Sequence, residues 1–150
     1  MRKPTLFLVP CLIGGTLLAG CGSGDDSSST EAALSKPAYV KQANAICKKA
    51  ADKINTAGSQ QFGNKQPTEA ELAKFVNDTA VPAFDDELSQ LRDLPPPSGD
   101  EDTVNAIYDA AQDGADALKE NPSILLENNP AAFQEANKLA KDYGLDVCAS

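Results

Sequence analysis

Cysteines and carboxylates are the residues of this 150-residue chain best placed for specific chemistry, because it contains no histidine. The usual proton shuttle near neutral pH is therefore missing, and so are Ser–His and Cys–His nucleophile pairs. No phosphate-cradling loop, zinc-binding helix or dinucleotide fingerprint occurs. Paired carboxylates can serve as acid and base, as in glycosidases. Asp85, Asp86 and Glu87 are adjacent, however, and adjacent positions of a helix point to different sides. The chain is expected to be non-catalytic, with no cofactor and no metal.

One set of carboxylates is ordered. On a helix, Asp102, Asp109, Asp113, Asp116 and Glu120 fall within roughly 60° of one another at about 100° per residue. Asn105 lies beside them, and the apolar residues of the same segment take the opposite face. Like charges at i,i+4 repel by a few tenths of a kcal/mol, and only Lys119 is close in sequence to relieve them. Such a stripe can dock a basic exported protein, hold Ca²⁺ weakly, or be a solvated helix face. A calcium site would draw on a compact oxygen-rich loop, and none is visible. The chain carries 13 basic and 22 acidic residues, a net charge of −9. That balance repels nucleic acid and anionic lipid.

The cysteines stand at positions 11, 21, 47 and 148. Arg2 and Lys3 open the chain, an apolar run follows from Leu6 to Leu18, and Leu18-Ala19-Gly20-Cys21 closes it. The run is roughly 13 residues, short of the ~20 that span a bilayer, and its layout is that of a secretory leader. The four residues 18–21 match, position for position, the lipobox of bacterial lipoproteins, which this N-terminus resembles. The resemblance implies cleavage of residues 1–20 and lipid attachment at Cys21, with the protein held on the outer face of the cytoplasmic membrane. The plain alternative is an ordinary secretory leader in which Cys21 is incidental. More than one acyl chain anchors stably without any transmembrane helix. Residues 21–35 are rich in Gly, Ser and acids and read as a flexible tether.

Cys11 leaves with the leader and Cys21 is taken by lipid. Cys47 and Cys148 remain in an oxidising compartment, where such a pair forms a disulfide. A thiol metal or redox site is the competing reading, but it lacks a Cys-x-x-Cys spacing and any histidine.

Residues 36–150 read as one helical domain. Val40, Ala43, Cys47, Ala50, Ile54 and Ala57 recur at helical spacing, with Pro37 in the first turn and Gly58 as the expected stop. A polar loop from Gly58 to Pro67 is expected to tuck Phe62 beneath it. Thr68 and Glu71 form a capping box for a second helix bearing Leu72, Phe75, Val76, Thr79, Ala83, Leu88 and Leu91. Pro82 must kink or split that helix. After Pro95-Pro96-Pro97, a third helix is expected from Ser98, with Glu101 completing a second box. It would bury Val104, Ile107, Tyr108, Ala111, Ala115 and Leu118.

Asn121-Pro122 and Asn129-Pro130 mark a short helix with Ile124, Leu125 and Leu126, then a longer one with Phe133, Ala136, Leu139, Ala140 and Tyr143. Gly144 reads as a left-handed C-terminal residue, with Leu145 folding back. No segment alternates with period two. The expected fold is all-α, an antiparallel bundle of about four main helices closed by one disulfide.

Ala43-Asn44-Ala45-Ile46-Cys47, Leu94-Pro95-Pro96-Pro97 and Tyr143-Gly144-Leu145 with Cys148 resemble a group of small helical lipoproteins of high-GC Gram-positive bacteria. The resemblance implies fold, disulfide and address, and it carries over no functional residue. Two functions are expected from the whole. The first is a non-catalytic envelope module, held at the membrane by Cys21, that binds a basic exported protein through the acidic stripe. The second is a lipoprotein that binds a small ligand or a cation.

Overall fold

Prolines and glycines cut the folded region into helices. The computed structural model describes residues 32–127 and 130–149 and shows where the cuts fall. The leader, Cys21, most of the tether, and Asn129 lie outside the described residues. Helix α1 spans Lys36–Phe62, α2 Glu69–Phe75, α3 Val81–Arg92, α4 Glu101–Glu120 and α5 Gln134–Tyr143. A π turn, Val76–Ala80, joins α2 to α3, and 3₁₀ turns cover Pro122–Leu126 and Ala131–Phe133. Every regular element among the described residues is helical.

The chain ends each helix by local chemistry. At the start of α2 the Thr68 hydroxyl accepts from the Glu71 amide at 3.3 Å, and the Glu71 carboxylate accepts from the Thr68 amide at 2.9 Å. The hydrogen bond from the Thr68 amide holds the Glu71 carboxyl below its ordinary range. At the end of α5, Gly144 adopts φ 103°, its amide reaches the Lys141 carbonyl, and the Leu145 amide reaches that of Ala140. These bonds satisfy carbonyls that a helix end leaves orphaned, and Leu145 is buried as expected.

Two of the boundaries, at Gly58 and Ser98, differ from the sequence expectation, and the split expected at Pro82 takes a particular form. Gly58 does not stop α1, which runs on to Phe62 and ends at Gly63 with φ 57°. A mid-helix glycine costs only about 1 kcal/mol, an amount that an aromatic pair of about 0.5–1.5 kcal/mol can offset: the Phe62 ring meets Phe75 edge-on at 5.3 Å. Phe62 is thus half-buried on a helix rather than tucked under a loop. The box expected at Ser98 does not form. Gly99, at φ 89°, turns the chain so that α4 starts at Glu101, whose carboxylate accepts from the Gly99 amide at 2.7 Å. At Pro82 the split takes the form of the π turn, in which the Val81 amide bonds the Val76 carbonyl. Pro82, which has no amide hydrogen to donate, follows directly after that bond, near the start of α3.

Cross-helix pairs give the directions. Asp85 and Arg92 of α3 meet Lys119 and Asp109 of α4 respectively, so residue numbers rise on one helix as they fall on the other. Asp100, preceding α4, meets Tyr143 while Gly114 lies under Phe133, which sets α4 and α5 antiparallel as well. The arrangement is a helical bundle. Its core has two parts. One gathers Tyr39, Cys47, Leu88, Leu91, Ile107 and Tyr108; the other gathers Leu72, Phe75, Val76, Val81 and Leu118 around the π turn. Burial of each large apolar side chain contributes about 1.5–3 kcal/mol. The hydroxyls of Tyr39 and Tyr108 bond to each other, and that of Tyr108 also donates to the Leu91 carbonyl at 3.1 Å. No helix among the described residues is long and apolar enough to cross a membrane.

Candidate functional site

Cys47 of α1 and Cys148 of the C-terminal tail form the expected disulfide, with S–S 2.02 Å and a sequence separation of 101. The Val147 amide donates to the Asn44 side chain at 3.0 Å, a second tie between the tail and α1 next to the disulfide. This pins the tail beside α3 and makes it one wall of a cleft.

The acidic stripe is where periodicity put it. Asp102, Asp109, Asp113, Asp116 and Glu120 are all exposed on α4. Its charge is less bare than the sequence implied. Arg92, from α3, stands 3.6 Å from Asp109. Lys119 bonds Asp116 at 2.9 Å and approaches Asp85 at 3.9 Å. The Lys119 hydrogen bond holds the Asp116 carboxyl below its ordinary range, and the same bond raises Lys119. Among the described residues no three stripe carboxylates bring oxygens within 4.8 Å of one another. The arrangement therefore lacks the compact oxygen cage of a calcium site.

The concave surface lies elsewhere. Three adjoining hollows share Phe84 and Cys148 as lining. The largest, about 500 Å³, opens between α3, α5 and the 3₁₀ turn at 122–126, bounded by Leu118, Leu125, Phe133 and Asn137. The second, about 220 Å³, lies on the α1 side and adds Cys47, Ile54, Asn55 and Glu87. A narrow third of about 60 Å³ runs inward past Glu87 toward Tyr108. Phe84 and Phe133 stack at 5.6 Å to make the apolar floor. Gly114 permits this: a Cβ there would lie 2.5 Å from the Phe133 ring.

Glu87, which the sequence reading weighed only as one of three adjacent carboxylates, stands apart from Asp85 and Asp86. It is half-buried, has no hydrogen bond or ion pair among the described residues, and lines two of the three hollows. A carboxylate oxygen lies within 4.8 Å of both disulfide sulfurs. Burial alone pushes its carboxyl up to about 7, because the charged form loses hydration with nothing in exchange. The signal was present in the sequence. Phe84, Leu88 and Leu91 occupy i, i+4 and i+7 of the inward face, and i+3 of that face is Glu87.

The Cys47, Glu87 and Cys148 cluster is no ready metal site, since sulfurs joined in a disulfide offer no thiolate ligand. What the arrangement can do is bind: an apolar floor, a size suited to a small molecule, and few polar groups. Comparison with known proteins finds no matching family model, no matching curated protein and no matching solved structure.

Proposed function

We propose that this chain is an exported lipoprotein, anchored through Cys21, whose helical domain is a non-catalytic binding module for a small amphiphilic ligand. The observation that carries the reading is the cleft of about 500 Å³ floored by Phe84 and Phe133, continuous at Phe84 with the hollow that holds unpaired Glu87. Sites of this volume with apolar walls and one or two polar groups are the usual form of small-ligand pockets. A tethered module of this kind would present its cleft just above the membrane surface.

The protein-docking reading rests on Asp102, Asp113 and Glu120, which are exposed and have no ion pair among the described residues. It is the second choice because Arg92 and Lys119 already engage Asp109 and Asp116. The two readings separate by experiment. A ligand that binds only the folded state raises the melting temperature with concentration. Stabilisation by small amphiphiles that Asn137→Trp abolishes, with the helical circular-dichroism spectrum kept, supports the cleft. In-cell cross-linking to a partner that is lost on Asp109/Asp113/Asp116→Lys substitution supports the stripe instead.

A further inference from the structure

Resting on the cleft reading above, we infer that its occupant is a small organic cation: an ammonium or guanidinium group on an apolar body. The charge lies against Glu87, and the body lies on Phe84 and Phe133.

The lining decides the sign of the charge. Among the described residues, Glu87 is the only acidic or basic side chain lining the second and third hollows. Glu127 is the only such side chain lining the largest, and no lysine or arginine among the described residues lines any of the three. A carboxylate or phosphate ligand would meet acidic groups with no counter-charge, in a chain of net charge −9. A cation meets the opposite situation. The long-range field draws it in, and Glu87 gains the partner that the fold withholds. A desolvated charge without a partner is costly, and a paired one much less so.

The aromatic floor agrees. Phe84 precedes Glu87 by three residues on the same helix face, so ring and carboxyl are neighbours, and Phe133 stacks on Phe84 from α5. An aromatic face beside a carboxylate attracts an organic cation by both charge and ring quadrupole. It also covers apolar carbons, which a bare metal ion does not have. The sulfurs beside Glu87 are locked in a disulfide, leaving one carboxylate, too few ligands for a metal ion to bind well.

The test is calorimetric titration of the purified chain at about pH 8, where Glu87 is ionised, with three probes of equal length: n-octylammonium, n-octanol and n-octanoate. The inference expects n-octylammonium to bind about tenfold more tightly than n-octanol, the effect of one charge-assisted contact, and n-octanoate to bind weakest. In Glu87→Gln the first two should bind alike. Glu87→Asp, which keeps the charge, should retain a preference for the ammonium. In Asp113→Asn the full preference should survive. Equal affinity of ammonium and alcohol for the unaltered chain overturns the inference and leaves the cleft reading standing. So does loss of the preference in Asp113→Asn but not in Glu87→Gln. No binding by any of the three overturns both.

Discussion

Replacing Glu87 by glutamine should change how stability depends on pH, and by a calculable amount. The folded protein keeps the Glu87 proton up to about pH 7, while the unfolded chain releases it near 4.5. Between those values the folded state binds more protons than the unfolded one. Stability contributed by this group is therefore fully present below about pH 4.5 and is lost as pH rises through 7. At about 1.36 kcal/mol per pH unit the window is worth at most roughly 3 kcal/mol, and access of water to the cleft reduces that to about 2. Glutamine keeps the shape and cannot ionise. The difference in unfolding free energy, variant minus unaltered chain, should thus rise by about 2 kcal/mol from pH 4.5 to 8. Urea titrations at four or five pH values measure it directly, and the other carboxylates cancel in the difference. A difference that stays flat across this range would refute the reasoning, since Glu87 would then be as well hydrated in the fold as outside it.

Three further outcomes follow from the same structure. Reducing Cys47–Cys148, which bridges a sequence separation of 101, should lower the unfolding free energy by about 3–5 kcal/mol; urea midpoints with and without reductant check it, and free thiols at both positions in the protein isolated from cells would contradict the bridge itself. Gly114→Ala should destabilise by about 1–3 kcal/mol through overpacking against Phe133, despite the better helix propensity of alanine, and a raised urea midpoint would show that the ring yields freely. Cys21→Ala should move the protein from the membrane to the soluble fraction after cell breakage; retention at the membrane would remove the lipid anchor from the account.

Local chemistry was readable from the sequence, and long-range contacts other than the disulfide were not. The Thr68–Glu71 box, the Gly144–Leu145 cap and the apolar faces are set by residues three to five positions apart, so their spacing carries the information. The disulfide was also legible, because only two cysteines remain once the leader and the lipobox are set aside. Gly58 misled because Phe62 finds Phe75 across the fold, an aromatic pair that can offset the cost of the glycine. Ser98 misled because Gly99 turns the chain and moves the helix start to Glu101. The stripe on α4 was placed correctly, but its partner Arg92 comes from another helix, which no reading of α4 alone reveals.

Glu87 shows the limit in a different way. Its place on the inward face could be read from Phe84, Leu88 and Leu91, yet beside Asp85 and Asp86 it was weighed only as part of an acid–base pair that helix geometry pulls apart. Its isolation depends on α5 and the disulfide-held tail closing over α3. Only the packed molecule shows a carboxyl that is half-buried and unpaired.

The most direct test of the binding site is to map backbone amide shifts of the ¹⁵N-labelled chain by NMR as n-octylammonium is added. The account predicts that the largest changes cluster at Phe84–Leu88, Ile124–Leu126, Phe133–Asn137 and Val147–Ala149. Changes concentrated instead at Asp102, Asp109, Asp113 and Asp116, with the cleft residues still, would contradict it and return the acidic stripe to first place.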